Sequence, residues 1–232
     1  MLTFYKTFIT ICFISIALTL NAQDKEKKKH SHKNKYSIGV MASPDFYLYD
    51  FKTHGLSEPT YKLKTNHSFG GTFIYHPFKL ITLRIAALYT SKGYSVDYSA
   101  DGSVPDSVSF KTQSINLNYL DVPLMMNLNL IHKDHLQVFL SAGIVPSLLL
   151  KKSGETIAQN GNKLPTDLDN ISNIFAGVTY SFGFKYNLTE WLGLGFEPYF
   201  RSYLGKVDSQ SMDLAPVSFG AKFSTVINFN HY

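Results

Sequence analysis

The sequence has little cysteine and little charge. Its single cysteine, Cys12, lies in an apolar run near the start. If that run leaves as part of a signal peptide, no thiol remains, which excludes disulfides, cysteine nucleophiles and cysteine-ligated zinc. Charged residues make up 17% of the chain, where about 25% is usual. No stretch shows convincing 3.6-residue apolar periodicity, which argues against a helical domain.

The main part of the chain also lacks a net positive charge. The formal net charge is +5, but residues 36–232 carry equal numbers of basic and acidic side chains, and most of the excess lies in residues 24–35. A neutral body offers no basic stripe that could follow a phosphate backbone. The sequence therefore predicts no nucleic-acid partner.

The first 35 residues predict two segments that precede the folded domain. Residues 1–22 combine Lys6, an apolar run over residues 8–20 and a small residue at Ala22, as in a signal peptide cleaved near Ala22. The alternative, a membrane anchor, is disfavoured because a spanning helix needs roughly 20 apolar residues. Residues 23–35 are Lys-rich and contain no apolar side chain, which predicts a disordered linker. The linker either binds an anionic partner or is a solvated spacer.

From residue 36 onward the pattern has a period of two. Aromatic residues are 15% of the chain, and bulky apolar residues alternate with small or polar ones, for example over residues 176–188 and 217–229. This alternation is typical of strands with one apolar and one polar face. We place eight strands at 36–50, 67–77, 80–97, 113–130, 135–151, 173–187, 191–205 and 216–229.

The connections between these strands alternate between long and short. The long ones are residues 51–66, 98–112, 152–172 and 206–215. Outer-membrane barrels have short periplasmic turns and longer extracellular loops, and a tilted crossing needs about 9–11 residues. The sequence therefore predicts an all-β fold, an eight-stranded antiparallel up-and-down transmembrane β-barrel over residues 36–232 in the cell outer membrane, in contact with its lipid. A soluble barrel with an apolar interior is the alternative.

The few charges within strands favour the membrane barrel. They fall on the small or polar face, which would then line the lumen, and an eight-stranded barrel has an interior just wide enough for side chains to fill. We predict a structural ionic cluster in the lumen, with Tyr199 or Gln137 sharing its hydrogen bonds. The cluster consists of Arg84, Asp121, Lys185, Glu197, Arg201 and Lys222.

One strand changes its apolar phase. Ile115, Leu117 and Tyr119 are apolar at odd positions, whereas the residues after Pro123 are apolar at even positions. Because proline cannot donate to the ladder, we predict a β-bulge near residues 120–123 that turns Asp121 inward.

The same region carries a family resemblance. Residues 119–124 read Tyr-Leu-Asp-Val-Pro-Leu, and residues 139–150 form a strand built around Ala142-Gly143. These motifs resemble the outer-membrane β-barrel family of Bacteroidota known as PorT-like. The resemblance implies an outer-membrane barrel, and the member that gives the family its name serves a protein-secretion apparatus.

Motifs for chemistry are weak, so we predict no catalytic residue, no metal site and no cofactor. There is no G-x-S-x-G motif, and His132 and His135 have metal-ligand spacing without a third ligand nearby. His54, His67 and His76 fall in predicted loops, turns or strand ends. Aromatic residues near strand ends are typical of the bilayer interface. They are Phe78, Tyr186, Trp191, Tyr199 and Tyr203.

The functional prediction is a non-enzymatic structural or binding barrel with a closed polar lumen, accessory to protein secretion or envelope assembly. An extracellular or periplasmic protein is the expected partner, and the long-loop end is the expected binding region. The alternatives are a lipid-modifying hydrolase of the outer membrane and, third, a small diffusion pore.

Overall fold

The computed structural model describes residues 35–48, 60–62, 65–97, 110–133, 135–158, 160–166, 168, 171–204 and 217–229. The signal peptide, nearly all of the linker, His54 and Tyr232 lie outside these residues. Eleven strands follow one another in the described part. They are β1 (Tyr36–Leu48), β2 (Thr60–Lys62), β3 (Thr65–Tyr75), β4 (Ile81–Asp97), β5 (Phe110–Asp121), β6 (Leu124–His132), β7 (Leu136–Ala158), β8 (Lys163–Pro165), β9 (Ile174–Asn187), β10 (Leu192–Leu204) and β11 (Val217–Phe229).

The long strands pair in a ring. β1 pairs with β3 on one side and β11 on the other, and the ladder continues from β11 through β10, β9 and β7. β5 and β6 both pair with β4 and with β7. They follow one another end to end and together form one strand of the ring. Every pair is antiparallel. The prediction of an eight-stranded up-and-down barrel is confirmed, and no lateral strand edge is left within the ring.

The two faces of each strand differ as predicted. On β9, Tyr180 and Phe184 point outward and are exposed, whereas the intervening Thr179, Ser181 and Lys185 are buried. β10 and β11 follow the same alternation. The exposed apolar side chains cover the outer surface, while the polar ones fill the lumen. This inverts the arrangement of a soluble barrel and suits a lipid environment.

Short and long connections lie at opposite ends of the ring. Residues 76–80, 133–135 and 188–191 join strands at one end, and the other end carries the four longer segments. By the convention of outer-membrane barrels, the short-turn end is periplasmic. Phe78, Tyr186 and Trp191 are exposed near that end, where amphipathic rings favour the membrane interface. Within the described residues no helix is long and apolar enough to span a membrane.

The predicted bulge at residues 120–123 is wrong. The register is continuous there, with Asp121 opposite Ser147 and Leu124 opposite Ile144. Odd residues face inward along both β5 and β6, and Asp121 is fully buried. The apolar phase changes because the end of the lumen opposite the short turns is itself apolar. Ile115, Leu117 and Tyr119 point inward there, to a hydrophobic cluster.

The irregularity lies in the partner strand instead. Asn118 pairs with Lys151 and Tyr119 with Leu149, which leaves Leu150 as an extra residue in β7. Above this bulge β7 continues as far as Ala158. The predicted loop 152–172 therefore begins with strand, and β8 folds back against it.

The strands that rise above the barrel form a separate surface. β4, β5 and β7 extend beyond the lipid-facing belt and pair with the short β2 and β8, in the order β2, β4, β5, β7, β8. We call this the extracellular sheet. Where β4 leaves β3, the side-chain amide of Asn66 donates to the carbonyl oxygen of Gly93 and accepts from its N–H. That pair of bonds closes the ladder at the divergence.

Candidate functional site: the lumen and the extracellular sheet

The structure places all six residues of the predicted ionic cluster inside the barrel. Each side chain is buried, and they come from strands on opposite sides of the ring. Five of them form two groups of ion pairs, and the sixth, Lys185, lies apart from the carboxylates. Burial of ions is costly unless they are paired and hydrogen-bonded, so the pairing decides what the lumen can do.

Glu197 is the centre of the first group. Its carboxylate accepts two hydrogen bonds from the guanidinium of Arg84, at 2.6 and 2.7 Å, in the bidentate geometry that suits these two groups. Ser181 donates at 2.6 Å and the ammonium of Lys222 at 3.1 Å. The group ties β4 to β9, β10 and β11 across the lumen.

Asp121 is the centre of the second group. One carboxylate oxygen accepts from the ammonium of Lys92 at 2.8 Å and from the hydroxyl of Ser147 at 2.6 Å. The other accepts from Arg201 at 2.8 Å. Asp121 is fully buried. Through these bonds this one residue neutralises two cations that are themselves almost fully buried.

Tyr199 connects the two groups. Its ring lies 4.5 Å from the ammonium of Lys222 and 5.3 Å from the guanidinium carbon of Arg201, so it contacts one cation from each group. Its hydroxyl donates to Asp45. The prediction that Tyr199 and Tyr203 lie at the membrane interface is wrong, because both face the lumen and are buried.

Sequence reasoning missed two charged lumen residues, Lys92 and Asp45. Both are buried, at 3% and 0% exposure. A signal was present: Lys92 has the parity of Arg84 on β4, and Asp45 has the parity of the buried Ser37 and Ser43 on β1. With them, the described lumen holds three carboxylates and five cations.

The ammonium of Lys92 lies beneath an aromatic cage. The rings of Tyr119, Phe175 and Tyr203 lie 4.6, 4.6 and 4.8 Å from its nitrogen. Three aromatic faces around one cation stabilise it where water is excluded. The rings belong to a larger buried cluster at the extracellular end of the lumen.

Two residues of the connection between β7 and β9 complete that cluster. Leu168 and Ile171 are buried in it beside Phe175. The segment is held from the side by Lys152, whose ammonium donates to the carbonyl oxygen of Leu168, and by the backbone of Gly154, which accepts from the N–H of Thr166. The connection thus folds inward over the barrel mouth.

The described histidines do not gather into a metal site. No group of three or more metal-binding side chains forms in the described part of the chain. His132 and His135 are exposed at the periplasmic turn, where His132 contacts the amide of Gln137. His67 lies within β3, and His76 lies in the turn before β4.

The structure does bring together one serine and one histidine that are distant in sequence. The hydroxyl of Ser37 lies 3.3 Å from Nε2 of His76, and the other ring nitrogen faces Thr82 at 3.2 Å. However, Ser37 is fully buried and donates its proton to the side-chain oxygen of Asn228. A serine in this state is not an activated nucleophile.

These features define a class of protein. A closed antiparallel ring with an apolar outer face, a charged lumen and short turns at one end is a transmembrane β-barrel of the bacterial outer membrane. A family model for the outer membrane protein beta-barrel domain matches residues 21–205. The chain belongs to that family, and its location is the outer membrane.

Solved structures with similar folds are also outer-membrane proteins. Neisserial surface protein A is 14% identical with a TM-score of 0.47, and the match covers 84% of this chain and 97% of that one. OprG from Pseudomonas aeruginosa is 15% identical with a TM-score of 0.45, covering 87% and 97%. Ail from Yersinia pestis, solved with a heparin analogue, is 10% identical with a TM-score of 0.44, covering 84% and 97%. No curated protein sequence matches this chain.

Proposed function

We propose that this protein is a non-enzymatic binding barrel that anchors an extracellular recognition surface. The observation that carries the proposal is the length of β7, which has 23 residues where about 9–11 suffice to cross the membrane. Its outward apolar residues end at Leu150, and the exposed polar residues from Lys151 onward belong to the extracellular sheet. β7 therefore connects the membrane-spanning barrel directly to the extracellular sheet.

The extracellular sheet has the chemistry of a contact surface. Leu164, the middle residue of β8, is 47% exposed and follows the polar Lys163. Lys163 pairs with Glu155 at 2.8 Å, with both side chains open to solvent. β2 and β8 are short edge strands, and such edges offer unpaired backbone groups to an extended partner.

A closed lumen supports binding over transport. The groups around Glu197 and Asp121 cross the barrel interior, and the aromatic cluster with Leu168 and Ile171 fills its extracellular end. Opening a path would break several buried ion pairs at once, which is costly. We therefore expect no conductance comparable to that of a large porin, and such a conductance would contradict the closed lumen.

The cellular setting follows from the resemblance to PorT-like barrels. We infer a role accessory to protein secretion or envelope assembly, with a protein partner outside the cell or in the periplasm. β1 begins at the periplasmic end, where the N–H of His76 donates to the carbonyl oxygen of Lys35. We propose that the Lys-rich residues 23–35, which precede β1 in the chain, reach an anionic or protein partner in the periplasm.

Site-directed photo-cross-linking in intact cells tests the proposal. A photoreactive phenylalanine analogue at Leu164 is expected to give a discrete protein adduct, while the same analogue at the lipid-facing Leu140 is the matched control and should give none. Replacement of residues 155–165 by a tight turn should leave barrel assembly intact. It should abolish whatever phenotype distinguishes cells with this protein from cells without it. Absence of an adduct at Leu164, together with an unchanged phenotype of cells that carry the shortened protein, would contradict the proposal.

Mass spectrometry of lipid A separates binding from lipid modification. Cells with and without the protein are expected to have the same lipid A species. A change in acylation that depends on the protein would favour the hydrolase instead.

A further inference from the structure

The periplasmic half of the lumen contains a small cavity beside Lys185 that is lined by both polar and apolar side chains. Its volume is about 30 Å³. The polar lining includes Arg84, Asn127, Lys185, Glu197 and Ser224, and the apolar lining includes Ile74, Phe139, Phe196 and Val226. A cavity needs about 10–15 Å³ by the same measure to hold one water molecule. The space therefore fits about two waters or one monatomic anion, which is slightly larger than water.

Lys185 has no carboxylate partner in the described part of the chain. Its side chain is buried, and its ammonium donates one hydrogen bond, to the side-chain oxygen of Asn228 at 2.7 Å. Gly193 makes room for this side chain, because a Cβ there would lie 2.7 Å from Cε of Lys185. The fold thus accommodates an ammonium group with donors to spare.

The carboxylate that also lines the cavity is already neutralised. Glu197 accepts from both terminal nitrogens of Arg84, from Ser181 and from Lys222. Two cations, Arg84 and Lys185, therefore line the cavity with one carboxylate among the described residues, and that carboxylate also binds Lys222. The side-chain nitrogen of Asn127 and the hydroxyl of Ser224 make no hydrogen bond to a described protein group, so they add neutral donors.

We propose that this cavity binds a small monovalent anion, chloride under ordinary conditions, held chiefly by the ammonium of Lys185. A buried charge persists when it is paired, and an anion would supply the pair that the protein lacks at this position. The anion would contribute to closing the periplasmic end of the lumen, independently of what the extracellular sheet binds.

Bromide provides a direct test with the full-length protein. Crystals of the wild-type protein in sodium bromide should show one anomalous-scattering peak inside the cavity, within contact distance of Nζ of Lys185. Density for water alone, without an anomalous peak, would overturn the proposal.

A second test measures the stability that the anion confers. The temperature at which the folded form loses its distinct gel mobility should be higher in sodium chloride than in sodium gluconate at equal ionic strength, by about 2 °C or more for a domain of this size. Lys185→Met should abolish the difference. Lys133→Met is the matched control, an exposed lysine at the same end, and should keep it.

Equal transition temperatures in the two salts for the wild-type protein would overturn the proposal, as would a difference that persists in Lys185→Met. If Lys185→Met fails to assemble, the bromide peak in the wild-type protein decides the question alone.

Discussion

Glu197 and Glu155 form ion pairs of similar length in opposite surroundings. Glu197 pairs with Arg84 at 2.6 Å with side chains only 5% and 7% exposed, whereas Glu155 pairs with Lys163 at 2.8 Å with side chains 47% and 68% exposed. The first lies in the lumen and the second in the extracellular sheet. The comparison teaches that an ion pair in the lumen must be complete to be tolerated there, while the sheet leaves its charges open to solvent.

The largest expected effect comes from removing the lumen carboxylate. Glu197→Ala leaves Arg84 and Lys222 buried without their shared partner, which should lower the free energy of unfolding by about 3–5 kcal/mol. Glu155→Ala is the matched control. Urea unfolding of the folded protein in detergent or lipid measures both. An unchanged midpoint for Glu197→Ala would show that the lumen does not need this charge.

A lipid-facing substitution sharpens the same contrast from the outer surface. Phe182→Arg places a charge on the apolar face of β9 and should destabilise the barrel by about 2–4 kcal/mol, because the bilayer cannot solvate it. Leu164→Arg, on the extracellular sheet, should change stability little. Equal effects of the two in liposome-reconstituted protein would contradict the assignment of the lipid-facing belt.

Neighbouring glycines in β3 test how tightly the barrel wall is packed. A Cβ at Gly70 would lie 2.0 Å from the carbonyl oxygen of Ala87, whereas at Gly71 the nearest atom is 3.9 Å away. Gly70→Ala should therefore cost about 1–3 kcal/mol, since backbone must move. Gly71→Ala should be close to neutral. The same unfolding measurement distinguishes them, and similar midpoints for the two variants would argue against this close contact.

The smallest effect belongs to the exposed pair itself. Glu155→Ala should lower stability by only about 0.2–1 kcal/mol, because solvent and salt screen the interaction with Lys163. The loss should shrink further at high salt. A loss as large as that of Glu197→Ala would remove the distinction between the two regions.

Strand number, faces and the alternation of long and short connections could be predicted because each depends on local alternation along the chain. Lys185 and Arg201 could be assigned to the lumen by parity alone. The inward phase of Ile115 and Tyr119 could not, since an apolar residue can face either lipid or a hydrophobic cluster inside the barrel. The contribution of Leu168 to that cluster depends on a long connection that folds back, for which periodicity gives no signal.

Contacts between distant strands were also beyond the sequence. The pairing of Arg84 with Glu197 joins residues 113 positions apart, and nothing local indicates which cation each carboxylate selects. Likewise, the extra residue at Leu150 reflects how β5 and β7 fit one another and not a feature of β7 alone.

The continuity of β7 has a mechanical consequence. A partner that pulls on the β7–β8 hairpin would load β7 along its own axis, against the hydrogen bonds that it shares with β9 and β6. In that direction the bonds resist in shear, many at once, instead of peeling one after another. Tension applied along β7 would therefore be shared among many hydrogen bonds of the barrel wall at once.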